Sequence, residues 1–244
     1  APFLKEIAER GVVFDDVKST CSWTKPSVAS LFTSLYPSQH GVMRGSATQE
    51  NKIYSDVLPA SLPTMAEVFR DAGYATFASI HNPQLKESMG FGRGFDEYLW
   101  SPGRVEGVLA PFRDWIDARE DTEQPFFAYL HILDVHAYKP SPEYRERFGT
   151  PELQYFVPNP SPPQVSLFLD FKAEVKSGRT ECPEQEQAGI QMLYDATILE
   201  TDDSLRDTVR FLQERGEWED TLFVFLSDHG EEFFEHREFG HGNS

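Results

Sequence analysis

Three short segments of this sequence carry residue types that could perform chemistry. The first begins at Thr24 and continues Lys-Pro-Ser-Val-Ala-Ser. It places a hydroxyl just before a predicted helix, where unpaired backbone N–H groups and the helix dipole favour an anion. Such a hydroxyl could attack a phosphate or sulfate ester held in the same field. Threonine is also a common helix N-cap, so this segment alone favours an ordinary cap.

The second segment reads Ser-Asp-His-Gly at residues 227–230, directly after an apolar run, with His241 downstream. Asp228 and His229 offer a carboxylate oxygen and an imidazole nitrogen, both of which are ligands for divalent cations. The neighbouring residues include several glutamates, among them Glu231, so a solvated acidic loop is the alternative. The position after a predicted strand makes the metal hypothesis as good as this alternative, and both stay open from this segment alone.

The third segment runs from His131 to His136 at the end of another apolar run. His131 and Asp134 could form a structural pair within the fold. His136 lies two residues further on and is the better candidate for contact with substrate. Taken alone, this segment favours a structural role.

The elements that must position these segments alternate between helical and strand patterns. We predict helices at Pro2–Arg10, Pro26–Ser34, Pro63–Ala72, Phe112–Arg119 and Glu184–Arg215, and strands at Val12–Phe14, Tyr74–Ile80, Phe126–Leu133 and Leu222–Leu226. This order predicts an α/β fold with a mainly parallel sheet flanked by helices. The carboxyl ends of such strands are where the chemistry is expected.

One stretch of the chain departs from this alternation. Residues 139–183 hold eight of the 17 prolines and show little periodicity. We expect a surface excursion near the mouth of the site, with little contribution to the core, and not a separate domain.

The composition limits the classes of partner. The formal net charge of −18 argues against nucleic acid or an anionic membrane surface, because both require a basic footprint. It does not exclude an anionic substrate, since a bound cation can invert the local field. Two cysteines are too few for a disulfide scaffold and leave the redox compartment open.

The motifs together resemble one family. Residues 24–41 resemble the sulfatase signature, which runs Cys or Ser-x-Pro-Ser-Arg, then Ala-Ser-Leu-Leu-Thr-Gly, Tyr-Pro and His-Gly. Residues 73–96, 125–136 and 220–231 are similar to the next three blocks of that family. Because four blocks occur in the right order over nearly the whole chain, the resemblance is to the sulfatase family of the alkaline phosphatase superfamily.

The resemblance implies an alkaline-phosphatase-type fold and roles for individual residues. Thr24 aligns with the nucleophile, which also contacts the metal, while Asp228 and His229 align with metal ligands. His136 aligns with the histidine that contacts the transferred group. The implied cofactor is a divalent cation, with calcium, manganese and zinc all open.

Two further residues are expected to bind substrate. Lys25 follows the nucleophile position directly, and His241 falls near a position where relatives place a cationic substrate-binding residue or a second metal ligand. The expected substrate is an anionic small-molecule, lipid or glycan ester, and the oligomeric state is open.

The nucleophile position departs from the family pattern. Sulfatases proper convert a Cys or Ser to formylglycine, and this conversion depends on an Arg four residues on. Here the two positions hold Thr24 and Val28, and Cys21 lies five residues before Pro26 where the signature requires two. The resemblance therefore predicts no formylglycine. A Thr nucleophile is similar to that of phosphodiesterases and of phosphoethanolamine- or glycerophosphate-transferring members of the superfamily.

The ends of the chain also depart from the pattern. The family's first strand, which carries a metal-binding Asp, would precede the Pro2–Arg10 helix, and more sheet would follow His241. We therefore interpret residues 1–244 as a fragment of a single catalytic domain, and expect this fragment alone to bind metal weakly and to aggregate. Export or anchoring in a membrane through other segments is compatible with this interpretation.

Three functions remain open from the sequence. The favoured one is a phosphoester hydrolase or phosphotransferase that uses Thr24. The others are a sulfatase without formylglycine and a non-catalytic binding domain that retains the fold. Metal content and turnover on paired phosphate and sulfate esters would distinguish them.

Overall fold

The computed structural model describes residues 1–45, 47–49, 52–149, 153, 164–236 and 238–242. The chain divides into two compact units. One, the sheet unit, comprises Asp15–Ile132 and Arg215–Gly230. The other, the helical unit, comprises Ala1–Phe14, Leu133–Glu214 and Glu231–Asn243.

The described elements include counterparts of the five predicted helices and of two predicted strands, beside elements that were not predicted. The helices are α1 (Pro2–Arg10), α2 (Thr24–Thr33), α3 (Pro37–His40), α4 (Met65–Asp71), α5 (Val105–Ala118), α6 (Pro142–Phe148), α7 (Gln164–Lys176) and α8 (Glu184–Glu214). The strands are β1 (Ala47–Gln49), β2 (Lys52–Tyr54), β3 (Ala75–Ile80), β4 (Glu97–Trp100), β5 (Phe126–His131), β6 (Glu232–Phe233) and β7 (Phe239–Gly240). Three 3-10 helices lie at Pro83–Leu85, Glu87–Met89 and Asp134–Ala137.

A parallel sheet forms the centre of the sheet unit. Its strands lie in the order β4-β3-β5, and both pairings are parallel. Side chains on the middle strand β3 alternate between the two faces. Ala78 and Ile80 belong to the same buried cluster as Val28 and Phe32 of α2. The α/β fold with a mainly parallel sheet flanked by helices is therefore confirmed.

The opposite face of the same sheet packs on α5. Phe77 of β3 is buried and stacks on Trp115, with ring centroids 4.9 Å apart. Because helices cover both faces of the sheet, ligands can reach it at the strand ends. In a parallel sheet the side chains at the carboxyl ends of the strands meet at one edge. His81 and His131 lie at that edge, after β3 and at the end of β5, and the register pairs Ile80 with His131.

The helical unit is organised around α8, which has 31 residues. Its Asp202 carboxylate accepts the backbone N–H groups of Phe3 and Leu4, both at 2.8 Å, and so caps the start of α1. Capping satisfies N–H groups that have no partner within their own helix. In the same unit β6 pairs antiparallel with β7.

Two predicted strands are wrong. Val12–Phe14 and Leu222–Leu226 belong to no strand, and all their apolar side chains except that of Phe223 are exposed, as Leu222 at 89% and Val224 at 66% illustrate. Apolar β-formers make a strand only when a neighbour completes the hydrogen-bond ladder, and neither segment has a ladder partner in the part of the chain that the structure describes. Strand β5 is half-buried along most of its length, although the segment is mostly apolar.

The proline-rich stretch is more regular than its composition predicts. It contains α6 and α7, although residues 150–152 and 154–163 lie outside the described part. Phe171, Val175 and Cys182 form a buried cluster. The expectation of little contribution to the core is therefore wrong, because α7 and the residues after it bury apolar side chains in the helical unit.

No helix in the described ranges is long and apolar enough to cross a membrane.

Candidate functional site

Thr24 is the first residue of α2, at the helix end where backbone N–H groups have no intrahelical acceptor. Its side chain is nearly buried, with 7% of the residue exposed, and its Oγ1 lies 3.3 Å from Nε2 of His229. The apolar face of α2 fixes this position, since Val28, Ala29 and Phe32 are buried in the core. The N-terminus of α2 thus brings the Thr24 hydroxyl and the helix dipole next to the imidazole of His229.

The orientation of the His229 ring follows from its other nitrogen. Nδ1 lies 2.9 Å from the carbonyl oxygen of Gly230, which can only accept, so Nδ1 carries the proton. The lone pair is then on Nε2, the atom that faces Thr24. A neutral imidazole in this tautomer is suited to binding a cation, with its ring held by the backbone.

Asp228 supplies a carboxylate next to the same imidazole. Its Oδ2 is buried, has no hydrogen-bond partner among the residues that the structure describes, and lies 3.7 Å from Nε2 of His229. The backbone carbonyl of Asp228 accepts the hydroxyl of Ser27, which ties this turn to α2. A buried carboxylate oxygen without a donor is unfavourable, and a cation would compensate it.

These residues fit the divalent cation that the family implies. A carboxylate oxygen, an imidazole nitrogen and a hydroxyl oxygen lie near one another within the sheet unit, with Nε2 of His229 3.3 Å from the hydroxyl and 3.7 Å from the carboxylate. This set mixes hard oxygen with borderline nitrogen, as calcium, manganese and zinc sites do to different degrees, so it does not select one of them.

Lys25 lies in the core instead of in a cleft. The residue has no exposed surface, and its ammonium donates to Ser55 Oγ at 2.5 Å and lies 3.5 Å from the carbonyl of Arg44. Burial lowers the pKa of Lys25, while the nearby Asp56 carboxylate opposes that shift. The contacts of its ammonium are with protein groups, so the expected contact with substrate stays a prediction.

Two histidines lie at the carboxyl edge of the sheet. His131 is buried, with Nδ1 3.1 Å from the Tyr129 hydroxyl, and burial lowers its pKa. His81 follows β3, and its Nε2 accepts the backbone N–H of Gly103 at 3.4 Å, which places the proton on Nδ1. That Nδ1 is buried without a hydrogen-bond partner in the described ranges. His81 was not predicted as a site residue, although its position directly after the predicted strand Tyr74–Ile80 is one where functional side chains are expected.

The helical unit brings together the other predicted residues. His136 lies in the 3-10 helix Asp134–Ala137, and its ring centroid is 4.7 Å from that of His241. Nδ1 of His241 lies 2.8 Å from a carboxylate oxygen of Glu231. Glu231 also accepts the hydroxyl of Tyr138.

Glu231 is a second residue that sequence reasoning missed. Its side chain is 10% exposed, whereas the acidic run around it indicated a solvated loop. Burial by itself raises the pKa of this carboxyl, but the hydrogen bonds from His241 and Tyr138 outweigh it and lower the pKa below its usual value. Charge density along the sequence does not reveal such donors, because they come from residues ten and 93 positions away.

Comparison with known proteins places the fold. The sulfatase family model matches residues 1–244. An ulvan-active sulfatase of Formosa agariphila is 29% identical over 140 residues, which is 55% of this chain and 21% of that protein.

Two solved structures share the fold. A protein in complex with D-glucosamine-2-N,6-O-disulfate has a TM-score of 0.71 at 17% identity, covering 98% of this chain and 62% of that one. The phosphonate monoester hydrolase of Agrobacterium radiobacter has a TM-score of 0.70 at 18% identity, covering 98% of this chain and 59% of that one.

The chain thus spans less than two thirds of the length of each of these proteins. Its motif blocks, its parallel sheet and the match of the family model over residues 1–244 agree. The chain belongs to the sulfatase family.

Proposed function

We propose that the protein containing this chain is a metal-dependent hydrolase or transferase that acts on phosphate or sulfate esters through Thr24. The observation that carries the proposal is the 3.3 Å contact between Thr24 Oγ1 and His229 Nε2, beside a buried carboxylate oxygen of Asp228 that lacks a donor among the described residues. If Thr24 were only a helix N-cap, the burial of the Asp228 oxygen beside it without a donor would have no explanation.

The chain's own residues prepare the attack. Helix α2 holds the Thr24 hydroxyl at its N-terminus, where the dipole favours an anionic ester. Asp228, His229 and Thr24 would hold the divalent cation, which supplies charge neutralisation and lowers the pKa of a bound hydroxyl. The Thr24 hydroxyl loses its proton to solvent, and its oxygen attacks phosphorus or sulfur. The bond to the leaving oxygen breaks, and the phosphoryl or sulfuryl group is held on Thr24.

Release of the group needs a second acceptor. Water or an acceptor alcohol attacks the covalent ester and regenerates the Thr24 hydroxyl. In this proposal, His136 donates a proton to the leaving oxygen or stabilises charge on the transferred group. His81, whose buried Nδ1–H lacks an acceptor in the described ranges, donates to an ester oxygen.

Phosphate esters are slightly favoured over sulfate esters on chemical grounds. Sulfatases proper rely on formylglycine, and here Thr24 has the nucleophile position while Val28 takes the place of the Arg on which the conversion depends. Val28 is fully buried among apolar side chains, which do not accommodate an arginine. A phosphonate monoester hydrolase among the proteins of the same fold is compatible with this preference.

A sulfate ester hydrolase is the second candidate. The relative named as ulvan-active sulfatase and the structure with a glucosamine disulfate both concern sulfated sugars. A sulfated or phosphorylated glycan is accordingly one of the anionic esters that we propose as substrate, beside small-molecule and lipid esters. A non-catalytic binding domain is the third candidate.

Some features of the whole protein belong to the same proposal. We propose that residues 1–244 lie within a single catalytic domain, that residues 139–183 shape the entrance for substrate, and that the protein is exported or membrane-anchored. The oligomeric state is open.

Substitution of Thr24 in the full-length protein tests the proposal. Thr24→Ala should lower turnover of phosphate or sulfate esters by roughly 1,000-fold or more, while Thr24→Ser, which keeps a hydroxyl, should retain a measurable part. Thr33→Ala is the matched control on the same helix, since its hydroxyl bonds the Ala29 carbonyl at 2.7 Å. Cys21→Ala should also leave turnover unchanged, and intact-mass spectrometry should find no formylglycine.

Paired assays rank the three candidates. Elemental analysis of the purified protein and turnover of matched phosphate and sulfate monoesters and diesters are the measurements. Faster turnover of the phosphate member supports the first candidate and faster turnover of the sulfate member supports the second. Full folding without metal or turnover would favour the binding domain, and equal activity of the wild type and Thr24→Ala would refute the nucleophile assignment.

A further inference from the structure

A hydrogen-bonded network in the helical unit links His136, which the proposed function assigns to the transferred group, to His241, which the resemblance implies as a substrate-binding residue. The carboxylate of Glu231 accepts hydrogen bonds from Nδ1 of His241, at 2.8 Å, and from the hydroxyl of Tyr138. His136 lies two residues before Tyr138, and its ring is 4.7 Å from that of His241. One carboxylate therefore contacts both segments that carry the histidines.

Tyr138 adopts a backbone conformation that is unusual for its residue type. Its φ of 47° lies in the left-handed region, at the C-terminal cap of the 3-10 helix that carries His136. A non-glycine residue stays in this region only when its surroundings hold it there. The side chain is buried, with ring centroids 5.4 Å from Tyr194 and 6.2 Å from Phe233, and its hydroxyl ends on Glu231.

The strand ladder fixes the other end of the network. Glu231 directly precedes β6 and His241 directly follows β7, and these two strands pair antiparallel with Glu232 opposite Gly240. The ladder brings the two side chains together across its open end. The register of the two strands thus fixes the contact between Glu231 and His241.

We propose that Glu231 is a positioning residue, which fixes the proton of His241 on Nδ1 and, through Tyr138, holds the turn that carries His136. With the proton on Nδ1, the lone pair of a neutral His241 is on Nε2. Carboxylates that accept the second N–H of a functional histidine set its tautomer and ring orientation in the same way. The part of this proposal that concerns activity rests on the proposed function, because that function makes His136 contact the transferred group and needs a site that binds the ester, to which His241 is expected to contribute.

The tautomer can be measured without any activity. In the full-length protein with ¹⁵N-labelled histidine, two-bond ¹H–¹⁵N correlation spectra distinguish Nδ1–H from Nε2–H, and loss of one signal set in His241→Gln assigns the resonance. We expect Nδ1–H for His241 in the wild type. Glu231→Ala should shift His241 to the Nε2–H form, whereas Glu231→Gln should keep Nδ1–H, since the amide oxygen still accepts and the amide N–H₂ can donate to Tyr138.

Tyr138→Phe tests the second arm of the network. It should alter the His136 signals while His241 keeps its tautomer. Tyr194→Phe is the matched control, because Tyr194 packs in the same aromatic cluster and its ring is 5.0 Å from that of Phe233. Glu232→Gln is the control for Glu231, since the neighbouring carboxylate accepts the backbone N–H of His236 and a glutamine can do the same.

Kinetics provide the second readout. Glu231→Ala should lower kcat by about 10- to 100-fold with KM changed by less than about threefold, and Glu231→Gln should restore much of the loss. Both controls should retain wild-type kcat. If the wild type turns over no ester, the proposed function fails, and the tautomer measurement alone decides the positioning role. An unchanged His241 tautomer in a folded Glu231→Ala variant would overturn the proposal.

Discussion

At the scale of single residues, the contacts of Asp228, His229 and Thr24 define what the site can do. Nδ1 of His229 is held by the carbonyl of Gly230, so the lone pair of Nε2 faces the Thr24 hydroxyl. Asp228 Oδ2 is buried beside them with no hydrogen-bond donor among the described residues. An oxygen in this state favours a cation, which is the physical reason to expect a metal here.

The Asp228 carboxylate gives a prediction about metal and stability together. In the full-length protein, Asp228→Asn should lower bound divalent metal and activity in parallel. With metal at about 100 times its Kd the wild type should gain roughly 2–3 kcal/mol over its metal-free form, and the variant should lose most of that gain. In metal-free protein the variant should be at least as stable as the wild type, because the amide removes a buried charge.

Elemental analysis and thermal unfolding with and without added metal measure these effects. Asp220→Asn, at an exposed position in the preceding turn, is the control and should change neither quantity. Unchanged metal content in Asp228→Asn would show that Asp228 is not a ligand.

At the scale of elements, a buried histidine connects α2 to the end of α3. Nδ1 of His40 accepts the backbone N–H of Val42 at 3.0 Å, so the proton is on Nε2, which lies 3.0 Å from Ser30 Oγ. The residue is almost fully buried, and this burial lowers the pKa of His40, with a hydrogen bond to the Pro26 backbone opposing the shift. The neutral imidazole is therefore part of the contact that holds the helix bearing Thr24.

The lowered pKa of His40 predicts an acid-sensitive contact. Below an unfolded-state pKa of about 6.5 the unfolded chain binds a proton that the folded chain does not, so stability falls as pH falls through this window. Urea unfolding at about pH 7.5 and pH 5.5 should show this loss. His40→Gln should reduce the pH dependence, whereas His236→Gln, which removes an exposed histidine, should not. If the free energy of unfolding fell by the same amount between the two pH values in the wild type and in His40→Gln, His40 would not be the acid-sensitive group.

Local signals predicted five of the described helices, missed α3, α6 and α7, and predicted two strands that the structure does not contain in its described part. Pro2–Arg10 has the predicted bounds, and the long helix ends one residue before the predicted Arg215, because helix periodicity and capping are encoded nearby in the sequence. Leu222–Leu226 has the composition of a strand, but strand formation also needs a partner from elsewhere in the chain. The same distinction applies to the site, where the family resemblance predicts Thr24, Asp228 and His229, while Glu231 depends on contacts that no local pattern records. His81 has only its place after a predicted strand as a local signal.

The exposed segment Leu222–Leu226 predicts aggregation of residues 1–244 when they are expressed by themselves. Leu222→Lys with Val224→Lys should lower the fluorescence of a bound hydrophobic dye and the aggregation rate. The free energy of unfolding should change by less than about 0.5 kcal/mol, since both side chains are exposed. Glu219→Gln, which also makes the net charge less negative, is the control. Equal aggregation of the wild type and the double variant would show that another surface is responsible.

At the scale of the whole molecule, the net charge of −18 opposes the binding of an anionic ester. An anionic ester therefore needs a local positive field. The N-terminus of α2 and a cation held by Asp228 and His229 would supply this field. The single fully buried ammonium near Thr24, that of Lys25, is hydrogen-bonded to Ser55 and lacks exposed surface in the described part of the chain. Ester binding should therefore depend on metal, and added salt should weaken it less than it weakens binding to a basic surface.

The most direct test of the account is to identify the residue that carries the covalent intermediate. The full-length, metal-loaded protein is mixed rapidly with a phosphate or sulfate ester that it turns over, quenched in acid, and digested for peptide mass spectrometry. We expect the phosphoryl or sulfuryl group on the hydroxyl oxygen of Thr24, and no adduct in Thr24→Ala. Turnover with the adduct on another residue, or with formylglycine present, would contradict it.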